Sequence, residues 1–236
     1  MHTQAKTSVA VALDTTDLAL ACHWAALVDQ HVQLVKLGLE FYLRHGLAGV
    51  VQVRESAPST GLFLDLKLHD IPATVAGAAR AIESLQPDYL TVHAAGGAAM
   101  VEAAATQLPD TRIAAVTVLT SLSSSDIAGL GLAPAAELVP LWAESAVNAG
   151  ARAIVASAQE VADLRSRQPD AIHLITPGIR PAGSDSNDQS RVATPTKAIL
   201  DGADVLVIGR PITQSDDPGA AAAAVMVEVA AAHYQG

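Results

Sequence analysis

Residues 62–67 read Leu-Phe-Leu-Asp-Leu-Lys, and after a short gap an alanine-rich stretch runs from residue 72 to residue 85. A short apolar run bounded by polar residues is typical of a β-strand. A proline at the start of an alanine-rich stretch is typical of the first turn of a helix. This segment therefore predicts one strand followed by one helix, the unit from which parallel sheets are built.

The same order of strand and helix recurs along the chain. The predicted strands are residues 9–13, 32–37, 62–67, 89–93, 113–119, 153–156, 172–176 and 205–208. The predicted helices are residues 17–30, 39–45, 72–85, 98–107, 135–148, 159–167, 195–201 and 218–233. Eight such units in 236 residues are typical of a closed barrel. We therefore expect an α/β protein in which residues 1–236 form a single (β/α)8 TIM barrel domain around a closed, parallel, eight-stranded sheet.

An open, doubly wound sheet is the alternative fold. Strands that alternate with helices are also found in that class of protein. The dinucleotide-binding pattern GxGxxG does not follow the first predicted strand, however. The closed barrel is therefore the favoured prediction.

The composition limits the kinds of partner. The chain has 48 alanines but only two Phe, two Trp and three Tyr, so Val, Ile, Leu and Ala must build its core. Its 14 Lys and Arg against 24 Asp and Glu give a net charge of −10, which argues against nucleic acids and anionic membrane surfaces as partners. The single cysteine, Cys22, excludes an internal disulfide framework. No segment has the pattern of a targeting or membrane-spanning sequence, so we expect a cytoplasmic protein.

Two stretches interrupt the regular pattern. Residues 179–191 are polar and without periodicity, which predicts a long loop after the seventh strand. That position lies on the face where barrel active sites form, so the loop is a candidate lid. Residues 121–131 form a second, smaller predicted loop after the fifth strand.

Polar residues lie at or just after the ends of six of the eight predicted strands. Because the carboxyl ends of barrel strands meet at one face, which carries the active site in this fold, we expect these side chains to gather there. Each one alone is also compatible with the start of a solvated loop. The residues are Asp14, Lys36, Asp65, Lys67, Asp70, His93, Thr120, Gly209 and Arg210.

The third strand carries the strongest chemical signal. Alternation places Phe63, Asp65 and Lys67 on one face of the strand and three leucines on the other. Leucines suit the side that faces the helices, so Asp65 and Lys67 are predicted to point into the barrel mouth. Charged groups there need partners, and Asp65, Lys67 and Asp70 are able to pair with one another. A surface cluster of salt bridges is the alternative interpretation.

Gly209 and Arg210 end the eighth strand. Phosphate sites of such barrels form from the loops after strands seven and eight. Glycine permits close approach of an anion to the backbone, and the arginine fork suits a phosphate group. A phosphate site and an ordinary turn with an exposed arginine both fit this pattern.

Residues 65–74, Asp-Leu-Lys-Leu-His-Asp-Ile-Pro-Ala-Thr, resemble the signature of the bacterial type of the orotidine 5′-phosphate decarboxylase family. That signature is Asp-x-Lys-x-x-Asp, followed by a short apolar pair and a threonine. Further segments similar to the family occur in the family's order along the chain. They are residues 11–14, 35–38, 91–97, 116–121, 176–180 and 208–211.

The resemblance implies a role for each matching residue. Lys67 matches the proton donor, Asp65 matches the carboxylate near the departing carboxylate of the substrate, and Asp70 matches the residue that completes their charge network. Lys36 is implied to be both a network residue and a substrate ligand, whereas His93 begins a matching segment without a clear role. The other residues implied to bind substrate are Asp14, Asp65, Ile71, Thr74, Thr120, Pro177, Arg180, Gln189 (on the lid), Gly209 and Arg210.

The implied activity is conversion of orotidine 5′-phosphate to UMP and CO2 in de novo pyrimidine biosynthesis. Loss of CO2 leaves a carbanion at carbon 6, which a fixed ammonium at Lys67 would stabilise and then protonate. The resemblance implies a small-molecule substrate as partner, and neither a cofactor nor a metal. It also implies a homodimer in which Asp70, Ile71 and Thr74 cross the interface.

Two alternative functions remain open on the sequence. A metal-dependent decarboxylase of a 3-keto sugar phosphate shares Asp-x-Lys-x-x-Asp, and in such an enzyme Asp65 would bind Mg²⁺. The predicted lid with Arg180 and Gln189, together with the Thr120 segment, favours the nucleotide substrate. A non-catalytic barrel that binds a phosphate ligand is the other alternative, and the intact charge cluster argues against it.

Overall fold

The β-branched runs of the sequence form parallel strands that close into a barrel. The structure is a computed structural model and describes residues 7–181 and 193–234. Each strand pairs with the next one along the chain, and β8 returns to pair with β1. This closure confirms the predicted (β/α)8 TIM barrel over the open sheet. The strands are β1 Ser8–Ala12, β2 Leu34–Gly38, β3 Gly61–Leu68, β4 Tyr89–His93, β5 Arg112–Val116, β6 Ala153–Val155, β7 His173–Thr176 and β8 Val205–Ile208.

Helices follow the strands and cover the outside of the barrel. Short 3₁₀ turns also occur at Glu83–Leu85 and Ala94–Gly96. None of the helices in the described residues is long and apolar enough to cross a membrane. The α-helices are α1 Leu18–Val28, α2 Leu39–Ser56, α3 Pro72–Ala81, α4 Ala98–Gln107, α5 Ser124–Gly129, α6 Ala135–Asn148, α7 Val161–Arg167, α8 Pro195–Leu200, α9 Arg210–Thr213 and α10 Pro218–His233.

Most element bounds agree with the prediction to within two residues, but some expectations were wrong. The predicted loop 121–131 contains α5, because Ser123 and Asp126 form a capping box that starts a helix in a serine-rich stretch. The helix predicted at 39–45 continues to Ser56 through a kink at Gly46, whose φ of 58° suits glycine. The fifth strand ends at Val116 rather than at residue 119. The short helix α9 was not predicted.

One buried apolar side chain from each strand forms a layer inside the barrel. The rings of Phe63 and Tyr89 lie 5.5 Å apart between their centroids, and alanines occupy three of the other positions. Because large rings are matched by small alanines, the interior of the barrel is close-packed. The residues of this layer are Ala10, Leu34, Phe63, Tyr89, Ala114, Ala153, Ile175 and Val205.

The outward face of β3 carries Leu62, Leu64 and Leu66, which belong to the apolar layer between sheet and helices. Phe63 points the other way, into the barrel. The predicted alternation of β3 is therefore confirmed over these residues.

Polar side chains close the amino-terminal end of the barrel. Gln33, Asp88 and Asp204 each lie just before a strand and accept a hydrogen bond from a backbone N–H near the start of the neighbouring strand. The donor–acceptor distances are 3.0 Å from Val9 N to Gln33 Oε1, 2.8 Å from Leu62 N to Asp88 Oδ2 and 2.7 Å from Leu174 N to Asp204 Oδ2. These bonds satisfy backbone N–H groups near the strand starts, where neighbouring strands of the barrel begin at different levels.

Tyr89 and His173 form a hydrogen-bonded pair inside this end of the barrel. The Tyr89 hydroxyl lies 2.7 Å from His173 Nδ1, and the guanidinium carbon of Arg112 lies 5.8 Å from the Tyr89 ring centroid. Burial raises the pKa of Tyr89 to about 12, although Arg112 opposes that rise. Burial also lowers the pKa of His173, and Arg112 lowers it further. Both rings are therefore neutral in the folded protein near neutral pH.

The lowered pKa of His173 predicts a loss of stability in mild acid. When folding lowers the pKa of a histidine, the free energy of unfolding has its full value above the unfolded-state pKa of about 6.5. It falls as the pH drops from there through the lower folded-state pKa. We expect the melting temperature to fall between about pH 7.5 and about pH 5.5, and to fall less in His173→Gln. The exposed His23 on α1 offers the control, because His23→Gln should keep the wild-type slope. Equal slopes in all three proteins would contradict the assignment.

Candidate active site

A cavity of about 440 Å³ opens at the carboxyl end of the barrel. Its floor is apolar and includes Phe63, Val155 and Ile175, while charged residues line its walls. Most of the predicted site residues meet here, although they come from six different strands or the loops after them. Those that line the cavity are Asp14, Lys36, Asp65, Lys67, Thr120, Pro177, Arg180, Gly209 and Arg210.

Four of these residues, Asp14, Lys36, Asp65 and Lys67, form a continuous series of ion pairs, called the charge chain below. Lys36 Nζ lies 3.1 Å from Asp14 Oδ1 and 3.3 Å from Asp65 Oδ2. Lys67 Nζ lies 2.7 Å from the other oxygen, Asp65 Oδ1. Each oxygen of the Asp65 carboxylate therefore contacts a different lysine.

Burial and neighbouring charges have opposite effects on the pKa values of Lys36 and Asp65. Burial alone would lower the pKa of Lys36, but the carboxylates of Asp65 and Asp14 outweigh it and raise that pKa. Burial alone would raise the pKa of Asp65, but Lys36 and Lys67, together with hydrogen bonds from Lys67 and Thr91, lower it. Lys36 and Asp65 are therefore both ionised at neutral pH.

Gly38 leaves room for the pair between Lys36 and Asp14. A Cβ atom at Gly38 would lie 3.4 Å from Asp14 Oδ1 and 3.5 Å from Lys36 Nζ. Any side chain longer than a methyl group would compete for the same space. The glycine that ends β2 thus belongs to the architecture of the site.

The backbone at Lys67 departs from ordinary strand geometry. Lys67 has a φ of 48°, a left-handed conformation that residues other than glycine rarely adopt. Here β3 is also out of step with β4, since Leu64 pairs with Leu90 but Leu68 pairs with Val92. The alternation that predicted an inward Lys67 is interrupted at this bulge, yet the side chain still lines the cavity.

The predicted residues after β3 lie outside the cavity of this chain. Asp70 forms no ion pair with Lys67 among the described residues, so the pairing within one chain that the sequence allowed is not formed. Its Oδ1 instead accepts a hydrogen bond of 2.6 Å from the Ile71 N–H. Ile71 is 65% exposed, and Thr74 is exposed as well. Gln189 of the predicted lid lies outside the described residues.

His93 lies beside the cluster rather than in the cavity wall. Its ring centroid is 5.2 Å from that of His69. Burial lowers the pKa of His93, and the neighbouring His69 and Lys67 lower it further. A neutral imidazole beside the cluster adds no positive charge to the mouth.

The side of the cavity formed by β7 and β8 carries two arginines. Arg180 is buried, and one of its terminal nitrogens donates a hydrogen bond of 3.0 Å to the Ile179 carbonyl. Gly209 has φ −112° and ψ −104° and precedes Arg210, the first residue of α9. The two guanidinium groups place positive charge on this side of the cavity, the positive wall.

Several residues of the site escaped the sequence analysis. Thr91 on β4 bonds both Asp65 and Lys67. Its signals in the sequence were a polar residue at an inward position of a buried strand and its place in the segment 91–97. Thr213 and Gln214 line the cavity because α9, which was not predicted, turns the chain back over it. Trp24 and Glu40 also reach the cavity, from helices whose positions only the folded barrel defines.

A second cavity, of about 900 Å³, lies between α4 and α6 on the outside of the barrel. Its arginine, Arg152, donates hydrogen bonds to the carbonyls of Pro109 and Thr111. The described residues that line it include no chain of paired charges like that of the barrel mouth. Among the described residues, no group of three or more His, Cys, Asp and Glu side chains is arranged to hold a metal ion.

The closed barrel and the linked lysines and carboxylates at its carboxyl end define the class as a (β/α)8-barrel enzyme. Comparison with known proteins gives the family. The family model described as "Orotidine 5′-phosphate decarboxylase / HUMPS family" matches residues 7–225. The chain belongs to this family.

Curated relatives and a solved structure agree with this assignment. The chain is 58% identical over 222 residues to the orotidine 5′-phosphate decarboxylase of Thermobifida fusca, across 94% of this chain and 95% of that protein. It is 48% identical over 241 residues to the one of Frankia casuarinae, across 95% of this chain and 88% of that protein. The crystal structure of orotidine 5′-phosphate decarboxylase from Lactobacillus acidophilus matches with a TM-score of 0.82 and 34% identity, across 94% of this chain and 99% of that one.

The charge chain predicts that the pKa of Asp65 depends on Lys36. In Lys36→Met the Asp65 carboxylate loses the positive charge that lies beside its Oδ2, so its pKa should rise. Carbon-13 NMR titration of the aspartate carboxyl groups measures this change. Lys197 pairs with Asp201 on the surface, so Lys197→Met is the control and should leave the Asp65 titration unchanged. An Asp65 titration that is the same in Lys36→Met and in the wild type would contradict the coupling.

Proposed function

We propose that this chain decarboxylates orotidine 5′-phosphate to UMP and CO2, as the names of its curated relatives suggest. One observation carries the proposal: an ammonium group, Lys67 Nζ, is held 2.7 Å from the Asp65 carboxylate in the mouth of the barrel. A fixed cation at this place suits a reaction that develops negative charge on carbon. The family carries two names, orotidine 5′-phosphate decarboxylase and HUMPS. The choice of substrate therefore depends on the curated relatives as well as on the site.

The proposed reaction breaks the bond between carbon 6 and the carboxylate carbon. CO2 leaves, and the electron pair of the broken bond stays on carbon 6. The Lys67 ammonium stabilises this charge and then transfers a proton to carbon 6, which gives UMP. The neutral amine regains a proton from solvent before the next turnover. The step requires neither an oxidant nor a reductant.

Asp65 and Lys36 support Lys67 in this mechanism. The Asp65 carboxylate keeps the ammonium in place, and Lys36 keeps Asp65 ionised. Asp65 also faces the proposed position of the substrate carboxylate, where two negative charges would repel each other until CO2 leaves. The mutual contacts of the three side chains support this division of roles.

The positive wall suits the phosphate of the substrate. We propose that Arg180, Gly209 and Arg210 bind the phosphate, and that Gln189 joins them. An arginine fork suits phosphate oxygens, and a glycine backbone allows them to approach closely. The phosphate is remote from carbon 6, so its binding energy is available to orient the reacting part of the substrate.

The remaining predicted residues would hold the nucleoside. Asp14 is the exposed member of the charge chain, with 64% of its side chain accessible, and we propose that it and Lys36 bind the ribose hydroxyl groups. We propose that Thr120 and Pro177, which line the same cavity, contact the pyrimidine. The apolar floor excludes water from the ring.

We also propose a homodimer in which Asp70, Ile71 and Thr74 of one subunit complete the site of the other. Three features support it: all three residues are exposed, Asp70 has no ion-pair contact with Lys67 within the chain, and 37% of the Lys67 side chain remains accessible to another group. The two-fold exchange of the same loop is the usual symmetry of dimers.

The proposed enzyme acts on its substrate without a cofactor or metal, as a single barrel domain in the cytoplasm. The acidic composition supports a small-molecule partner rather than a nucleic acid or a membrane. Removing bound metal with a chelator tests the first part of this statement directly.

Lys67→Ala should lower turnover by at least ~10³-fold, because it removes both the stabilising charge and the proton donor. The measurement is the loss of orotidylate absorbance, made with and without a chelator, while circular dichroism checks the fold. Lys197→Ala on the surface is the matched control. Near-normal turnover by Lys67→Ala would overturn the mechanism. Loss of wild-type turnover on chelation would instead favour a metal-dependent decarboxylase.

Mixing two inactive variants tests the shared site. In a mixture of Lys67→Ala and Asp70→Ala chains, random pairing across a two-fold interface should restore about a quarter of the sites. The expected activity is therefore about a quarter of that of the wild type, measured after the subunits have exchanged. If Asp70 serves its own subunit, no mixed site contains both residues and the mixture stays inactive.

A further inference from the structure

The hydroxyl of Thr91 is bonded to both residues at the centre of the charge chain. Thr91 lies on β4 with 1% of its surface exposed. Its Oγ1 accepts a hydrogen bond of 2.8 Å from the Lys67 N–H and donates one of 3.0 Å to Asp65 Oδ1. A hydroxyl has one donor and two acceptor sites, so a single group serves both neighbours.

The bulge in β3 explains why a side chain has this task. Three residues, 65–67, lie opposite Thr91 alone, because the pairing moves from Leu64 with Leu90 to Leu68 with Val92. In the bulge the Lys67 N–H turns to a side-chain oxygen rather than to the main chain of β4. A buried N–H without any acceptor would cost about 1–3 kcal/mol, so this hydrogen bond stabilises the bulge.

The second hydrogen bond orients the Asp65 carboxylate. Asp65 Oδ1 accepts hydrogen bonds from Thr91 Oγ1 and Lys67 Nζ, while Asp65 Oδ2 faces Lys36. Rotation of the carboxylate would break the bond to Thr91 and exchange the oxygens that face the two lysines. The hydroxyl thus limits where Asp65 holds the Lys67 ammonium.

We propose that Thr91 is a positioning residue, whose hydroxyl holds the Lys67 backbone in its left-handed conformation and turns the Asp65 carboxylate toward the Lys67 ammonium. It acts through these two residues and does not itself line the cavity. The inference rests on the proposed function, because its consequence for catalysis concerns proton transfer by Lys67. Its structural part concerns the conformation of Lys67 and stands apart from any substrate.

Thr91→Val removes the hydroxyl and keeps the branched shape of the side chain. A misplacement of the reacting group by about 1 Å lowers rates by about 100-fold, so we expect kcat to fall about 10- to 100-fold. The dissociation constant of UMP should change less than about threefold, because the phosphate and ribose contacts remain. Thr91→Ser, which retains the hydroxyl, should keep kcat within about threefold of the wild type.

Thr117 offers a matched control. It is buried directly after β5, next to two residues of the cavity wall, and its hydroxyl donates to the Val155 carbonyl at 3.1 Å. Thr117→Val therefore also removes one buried hydroxyl near the mouth, but from a residue that bonds neither Asp65 nor Lys67. Its kcat should stay within about threefold of the wild type.

The kinetic results separate a positioning role from a structural one. Equal kcat values for Thr91→Val and Thr117→Val would overturn the proposal. A parallel loss of kcat and of UMP binding would also overturn it, because the whole site would then be damaged. If Thr91→Val does not fold, Thr91→Ala takes its place, and failure of both to fold while Thr117→Val folds would show a structural role only.

Crystal structures of the wild type and of Thr91→Val provide a readout that needs no substrate. We expect Lys67 to leave the left-handed region in the variant and its Nζ to move away from Asp65. An unchanged Lys67 φ and an unchanged contact would overturn the proposal. Failure of the wild type to decarboxylate orotidine 5′-phosphate would contradict the proposed function instead, and these two structures would still decide the role of Thr91.

Discussion

The shared carboxylate of Asp65 is the interaction on which the mouth of this barrel depends. Only 15% of the side chain is exposed, so its charge must be balanced by neighbours rather than by water. Lys36 and Lys67 balance it from its two oxygens. Without Asp65, Lys67 would lose the carboxylate to which it is bonded, and Lys36 would keep only the exposed Asp14.

Barrel closure brings these groups together, and strand register sets their spacing. Ala12 pairs with Lys36 across β1 and β2, and Gly38 pairs with Asp65 across β2 and β3. These pairings place residues from three separate parts of the chain at one level of the mouth. The bulge between β3 and β4 then turns Lys67 toward the cavity. Beneath them, packed rings and aliphatic side chains leave a firm floor rather than an open channel.

Much of the fold and of the charge chain was predictable from local pattern. The period of two in residues 62–66 separates leucines from Phe63 and Asp65 because strand side chains alternate, whatever the rest of the chain does. The helix at 124–129 was missed because its capping serines have the composition of a loop. Sequence spacing allowed Asp70 to pair with Lys67 in the same chain, but it does not reveal that the chain turns Asp70 outward after β3.

The sequence by itself determined the order of strands and helices and the polar residues at the strand ends, because both follow from the spacing of side chains along the backbone. Only the tertiary structure decided which of those polar residues touch. The separation of Lys36 from Asp65, the left-handed backbone of Lys67 and the two bonds of Thr91 depend on register between strands that are distant in sequence. Register is a property of the closed sheet, since a shift by one residue would turn each of these side chains to the opposite face.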